Sequence, residues 1–184
     1  MSSDRRQPDT RALRDALGTF PTGVTVVTCV RPDGSPVGVT ANSFVSLSLS
    51  PPLVSIALHH QARHLQPFLD SPVFAIHVLC ADQHTISTHF ARPSDCSWKD
   101  VRYHIVPSGH LVLERVAASF LCHLAARYPV GDHILLIGNV DQFSYDPRVE
   151  ALAFSRGRYG AFQLRSHTPP LEPVDFVTST LGWG

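Results

Sequence analysis

Apolar and polar residues alternate at period two from Val37 to Leu49. Val37, Val39, Ala41, Val45, Leu47 and Leu49 fall on one side, interrupted only by Ser43. Gly38, Thr40, Asn42, Ser46 and Ser48 fall on the other, with Phe44 among them. The period predicts a single strand with one face in a core and the other lining something polar. That polar face carries hydroxyls and an amide but no charge. Two readings fit it. It is a neutral hydrogen-bonding wall for a flat heterocycle, or an ordinary half-buried strand rich in Ser and Thr.

The remaining elements follow from the same patterning. Leu13, Ala16, Leu17 and Phe20 recur at helical spacing, so a short helix from about Asp9 to Gly18 is laid on the body of the domain, capped by Asp9 or Thr10. Thr22 to Val30 is a β-branched strand, and 32–36 is the turn that returns the chain antiparallel into the alternating stretch. Pro51 and Pro52 interrupt the ladder, Leu53 to Leu58 is a buried strand, and a short helix lies within His59 to Asp70. Val73 to Cys80 is a strand, and Asp82 caps a helix running to Ala91 with Ile86 and Phe90 inward. Residues 92–114 read as loop. Strands follow at Val116 to Arg127, His133 to Phe143 and Leu152 to Ser155, with the turn Tyr128 to Asp132 between the first two. Many strands with few short helices argue a mainly β, antiparallel barrel rather than alternating βαβ units. Residues 1–8 form a disordered lead, 9–162 the domain, and 163–184 a C-terminal arm.

Composition narrows the function classes. The chain has 184 residues, room for one domain with a sizeable core. Fifteen basic residues balance fifteen acidic ones, which predicts neither a nucleic-acid partner nor an anionic membrane surface. Only 16% of residues are charged, which suggests that another subunit covers part of the surface. Cys29, Cys80, Cys96 and Cys122 are widely spaced with no CxxC pair, as expected of buried thiols in a reducing compartment. The first residues lack the apolar run of a signal peptide, and no window is long enough to span a membrane, so the expected location is cytoplasmic.

Motifs are informative mainly in combination. Eleven histidines include His60 and His64 at i, i+4, but no conventional ligand spacing emerges and HExxH is absent, so no metal site is expected. There is no GxGxxG, GxxxxGK[ST] or GxSxG. A nucleotide, if handled, binds on a barrel surface. Gly131-Asp132-His133 stands at a strand mouth, where His133 either meets a ligand and exchanges a proton or simply follows a turn capped by Asp132.

Phe20-Pro21-Thr22-Gly23-Val24-Thr25-Val26-Val27-Thr28, Gly38 to Phe44, Ser46 to Leu53, His89-Phe90-Ala91, Gly131-Asp132-His133, Gly138-Asn139-Val140 and Arg156-Gly157-Arg158-Tyr159 occur in one order over about residues 10 to 162. Together they resemble the short-chain flavin reductase family, the FMN-binding split-barrel proteins that serve two-component monooxygenases. The resemblance implies a homodimeric Greek-key split barrel with flavin near the subunit interface. It implies that Thr40, Ala41, Asn42 and Ser43 contact the ring and ribityl chain, with Ser48 close by and Phe90, Ala91 and Tyr159 around the pocket. It implies that His133 stands where the nicotinamide arrives. It implies FMN or FAD as cofactor and NAD(P)H as co-substrate, with hydride passing from nicotinamide C4 to flavin N5 and reduced flavin passing to a partner monooxygenase.

Two segments depart from the family pattern. Ser/Thr residues that hold the flavin phosphate in relatives are replaced by 59–64, where Arg63 with His60 or His64 holds a phosphate or forms a solvated basic turn. Ser50 stands where Asp is common. The apolar residues of the arm, Leu171, Phe176 and Trp183 among them, are expected to wrap a neighbouring subunit or shield the pocket. The alternatives on the same scaffold are a flavoprotein that retains its flavin and oxidises or oxygenates an organic substrate, and a non-enzymatic flavin-binding module.

Overall fold

A computed structural model describes residues 9–92 and 97–162. The lead at 1–8, Cys96 and the arm at 163–184 lie outside the described residues. Three helices are present, α1 (Thr10–Leu17), α2 (Leu65–Asp70) and α3 (His84–Ala91). The strands are β1 (Thr22–Gly23), β2 (Thr25–Val30), β3 (Pro36–Ala41), β4 (Val45–Leu49), β5 (Pro52–His59), β6 (Val73–Val78), β7 (Tyr103–Ile105), β8 (Leu111–Leu113), β9 (Ala118–Val130), β10 (His133–Tyr145), β11 (Leu152–Ser155) and β12 (Arg158–Ala161).

Seven strands form one sheet in the order β3-β2-β6-β9-β10-β5-β4, every neighbouring pair antiparallel. Laid flat, seven strands would hold their two edges about 29 Å apart. Here the edges are β3 and β4, joined only by residues 42–44, a connection that reaches roughly 14 Å at full stretch. The sheet must therefore curl until its edges meet at that corner. Ser43 pins the corner: its hydroxyl donates to the Ala57 carbonyl at 2.9 Å and accepts from the Ala57 amide at 3.0 Å.

Curling creates two apolar layers. Val27, Ile56, Phe68, Phe74, Ile76 and Leu136 fill the inside. Val24, Val26, Leu79, Phe90, Leu111 and Leu152 form a second cluster on the outside of β2. Val26 and Val27 point to opposite faces and both are fully buried, which is why β2 reads as a continuous apolar run. The β7–β8 hairpin and the three-stranded sheet β1-β11-β12 complete the second layer.

Several elements differ from the sequence-based expectation. The stretch from Val37 to Leu49 is two strands, broken at residues 42–44. Val37 is buried, but Val45, Leu47 and Leu49 are 51%, 45% and 58% exposed. The period is right along β4, yet its apolar face looks outward in a single chain. Thr22 to Val30 also splits, because the chain changes partners at Val24. Thr22 and Gly23 pair with β11, whereas Thr25 pairs with both Ala41 and Val78. Residues 92–114 contain β7 and β8, three-residue strands hidden by the intervening Pro107 to Gly109 turn.

β9 runs on to Val130, so the turn before His133 is shorter than expected. Arg158–Ala161 forms β12, a strand the sequence reading did not separate. Asp82 does not cap α3. The helix begins after Gln83, and Asp82 instead pairs with Arg115 at 3.2 Å. α1 is capped by Asp9, which accepts from the Arg11 amide at 2.9 Å. It buries none of its residues, so it is tethered rather than laid on the domain. Its tether is Gly18, whose carbonyl accepts from the Arg156 amide at 2.7 Å. Cys29, Cys80 and Cys122 are buried free thiols, with Cys29 and Cys122 pushed up to about 12 by burial.

Candidate functional site

The corner at residues 42–44 is where the end of β3, the inner face of α3 and the small sheet converge. They enclose a cavity of about 180 Å³ lined by Val24, Thr40, Ala41, Asn42, Ser87, Ala91, Phe154 and Tyr159. Gly38 sets the distance between β3 and α3. A Cβ at Gly38 would lie 2.7 Å from Phe90 Cε1, so only glycine lets the Phe90 ring lie across the strand. With Phe90 seated, Thr40 Oγ1 donates to the Ser87 carbonyl at 2.7 Å. The fully buried Ser87 hydroxyl and the Tyr159 hydroxyl are 2.9 Å apart and hydrogen-bonded. A chain of polar contacts thus runs from β3 through α3 to β12.

The small sheet supplies the opposite wall. Thr22 pairs with Phe154, and Phe154 with Tyr159, so the three side chains form a row on one face. The Phe154 and Tyr159 rings are 5.5 Å apart. Thr22 Oγ1 is buried and has no hydrogen-bond partner among the described residues. Asn42 is exposed at the mouth.

These observations suit a flavin. The lining is apolar and aromatic with neutral hydrogen-bonding groups, as an isoalloxazine edge with both donors and acceptors needs. At about 180 Å³ the cavity is smaller than the 300 Å³ or so of a closed ligand pocket, so the described residues supply only part of such an enclosure. A larger cleft of about 390 Å³ beside α3 is lined by Asp82, Asp100 and Glu114 together with Arg102 and Arg115. Three carboxylates there oppose an anionic cofactor.

Of the residues expected at the site, Thr40, Ala41, Asn42, Ala91 and Tyr159 line this cavity. Ser43 stands at the corner beside it, its hydroxyl proton committed to Ala57. Phe90 is buried in the second apolar cluster and does not line it. Ser48 lies opposite Leu53, past a β-bulge and away from the corner. Arg63 is exposed in the segment between β5 and α2. Ser87, Val24 and Phe154 were not anticipated. Ser87 sits four residues before Ala91 on α3, the i, i+4 spacing that places both on one helix face.

His133 opens β10 opposite His59, the two rings edge to face at 5.1 Å. Ala57 pairs with Leu135, so His133 is two residues along the strand from the Ser43 clasp, or roughly 7 Å. The His133 Nδ1–H donates to Asp132 Oδ1 at 2.6 Å. That hydrogen bond holds the Asp132 carboxyl below its usual value, with smaller contributions from the charges of His133 and His59. Asp132 therefore orients the imidazole and leaves Nε2 as the free ring nitrogen. Among the described residues no three His, Cys, Asp or Glu side chains cluster closely enough to hold a metal.

Residues 17–163 match the model of the flavin reductase like domain. The chain belongs to that family. The reductase subunit of stachydrine N-demethylase from Rhizobium meliloti is 40% identical over 83% of this chain and 66% of its own length. An FMN reductase (NADH) of Agrobacterium fabrum is 40% identical over 84% of this chain and 87% of its own. The structure of a Streptomyces globisporus NADH:FAD oxidoreductase in complex with NAD and FAD fragments superposes with a TM-score of 0.81. It shares 37% identity and covers 87% of this chain and 97% of that one. The chain spans only 48% and 52% of two further curated relatives from this family. Within the family fold, the cavity at the β3–β4 corner is formed by the Thr-Ala-Asn segment that carried the resemblance. No helix among the described residues is long and apolar enough to cross a membrane.

Proposed function

We propose that this chain is an NAD(P)H-dependent flavin reductase that reduces FMN or FAD and passes the reduced flavin to a separate monooxygenase. The observation that carries the reading is the cavity built by Thr40, Ala41 and Asn42 with Ala91 and Tyr159 in a flavin reductase fold. The relatives named for NADH, FMN and FAD, and the one named as a reductase subunit, support both substrates and the partner. Thr40, Ala41, Asn42, Ala91 and Tyr159 would hold the flavin, which would supply the acceptor for a hydride from the nicotinamide. The residues of the chain hold and orient. Thr40, Ser87 and Tyr159 fix the cavity walls, Asn42 offers an amide at the mouth, and His133 presents Nε2 where a nicotinamide carboxamide can meet it. No general base is required.

The working form is a homodimer built on a Greek-key split barrel. Val45, Leu47 and Leu49 form an exposed apolar stripe on edge strand β4, and Phe143 and Tyr145 are exposed at the end of β10. Surfaces of that kind support burial against a second copy. A partner wall would also complete a cavity too small to enclose flavin alone. Arg63 stands as the candidate for the flavin phosphate, Ser48 and Phe90 as supports of the ring-binding corner, and the location is the cytoplasm.

The deciding experiment follows NAD(P)H oxidation by dialysed protein at varied FMN or FAD. Saturable, flavin-dependent turnover is expected. Flavin that stays bound without NAD(P)H oxidation would overturn the reading.

A further inference from the structure

We propose that His59 is a positioning residue for the reductase reaction, steadying the second oxygen of Asp132 so that Asp132 fixes the tautomer and aim of His133. The inference rests on the reductase reading, in which His133 meets the nicotinamide, and goes one residue beyond it.

The three side chains meet because two strands end in register. His59 closes β5 and pairs directly with His133, which opens β10. The Ala57 N–H and C=O both bond the Ser43 hydroxyl, so Ala57 and its partner Leu135 face each other without ladder bonds. Two residues further on, His59 and His133 form a pair of the same kind. Side chains of such pairs stand closer than those of hydrogen-bonded pairs. The His60 amide, donating to the Asp132 carbonyl at 2.9 Å, closes the ladder just beyond. Gly131 takes φ of 59° in the two-residue turn between β9 and β10, which leaves Asp132 at the mouth within reach of both rings.

Each ring nitrogen then has a defined task. The Gln61 amide donates to His59 Nδ1 at 3.0 Å. That nitrogen keeps its lone pair, so the proton of the neutral ring is on Nε2. His59 Nε2 stands 3.6 Å from Asp132 Oδ2, past hydrogen-bond length but within ion-pair range, so its N–H dipole faces the carboxylate. On the other oxygen, Oδ1 accepts from His133 Nδ1 at 2.6 Å, which leaves His133 Nε2 open. The Asp132 side chain is 76% exposed, and among the described residues only these two rings hold it. A carboxylate that exposed turns freely unless both oxygens are engaged. The edge-to-face packing of the rings, 82° between planes, restrains His133 from the side as well. His59 therefore acts on His133 twice, through the shared carboxylate and by direct contact.

The test compares two variants of the full chain. His59→Phe keeps a ring against His133 but removes the N–H, and His59→Gln restores an N–H donor. Ring nitrogen chemical shifts report the His133 tautomer, its signals assigned by their loss in His133→Asn. In His59→Phe the His133 ring is expected to shift from the Nδ1–H toward the Nε2–H form. With FMN saturating, the KM for NADH should rise about two- to fivefold, the scale of one half-exposed charge-assisted contact. The FMN KM and the melting temperature should stay near wild type, and His59→Gln should recover most of the loss. On an Asp132→Asn background, His59→Phe should add less than about twofold, because the coupling runs through that carboxylate. An unchanged His133 tautomer in His59→Phe would overturn the proposal. So would full additivity with Asp132→Asn, or a flavin KM that rises while the NADH KM stays, which would place His59 on the flavin instead. A wild-type chain without flavin-dependent NADH oxidation would overturn the reductase reading, while the tautomer measurement still decides whether His59 acts through Asp132.

Discussion

Gly38→Ala probes the packing that creates the candidate site. The added methyl would lie 2.7 Å and 2.8 Å from Phe90 Cε1 and Cδ1, and 3.1 Å from Trp98 Cζ2. Real contacts to Cβ do not approach that closely, so Phe90 must move. It cannot move freely, being 2% exposed and packed at a tilt against the Trp98 ring, centroids 4.8 Å apart. Overpacking of a tight core costs about 1–3 kcal/mol, which lowers the melting temperature of a domain this size by roughly 2–12 °C. Relief comes most easily by α3 backing away from β3, which lengthens the 2.7 Å bond from Thr40 to the Ser87 carbonyl and opens the cavity wall. The KM for flavin should therefore rise severalfold while kcat falls less.

Thermal unfolding and steady-state kinetics on Gly38→Ala, Phe90→Leu and the double variant separate this account from a generic glycine effect. Phe90→Leu alone removes ring atoms and should cost about 1 kcal/mol or somewhat more. In the double variant the shorter side chain makes room for the methyl, so the two losses should add to clearly less than their sum. Strict additivity would refute the reasoning. A Gly38→Ala variant with wild-type melting temperature and flavin KM would do the same.

Three further predictions rest on separate observations. His77 is fully buried between Thr28, Ser119 and the Leu111 carbonyl, and burial pushes its pKa down from 6.5 to about 4. The unfolded chain binds that proton more readily, so stability is complete above about pH 6.5 and falls toward pH 4. The loss approaches about 3 kcal/mol, and urea titrations of His77→Gln should show a shallower slope over that window than wild type; an unchanged slope would sink the claim. His133→Ala should raise the KM for NAD(P)H or lower kcat/KM by about tenfold or more, with the flavin KM changing much less, and equal loss of both would show the role to be wrong. Leu47→Asp with Leu49→Asp places charge on the exposed stripe of β4; sedimentation should report a monomer with weakened flavin binding, and a dimer that persists at micromolar concentration would move the interface elsewhere.

Local pattern alone was enough for the class of the fold and for much of the site. Alternation over Val37 to Leu49, the continuous apolar run of β2 and the short helices identify an antiparallel β protein, because side-chain periodicity is a property of a few consecutive residues. The family motifs named Thr40, Ala41, Asn42, Ala91 and Tyr159, and all five line one cavity. Four decisions belonged to the tertiary structure. The break at residues 42–44 arises because the curled sheet must turn a corner, and neither glycine nor proline marks it, Asn42 and Ser43 reading equally well as the polar face of a strand. β4 keeps its period but faces outward, since which side of a strand is covered depends on neighbours far along the chain. Ser87 and Phe154 join the site only because Phe90 packs on Gly38 and the small sheet folds across β2, contacts separated by 50 residues or more. The meeting of His59 and His133 at one carboxylate was likewise invisible to sequence, because the register of β5 against β10 creates it. Periodicity reports which residues share a face, and only the closed chain decides what that face meets.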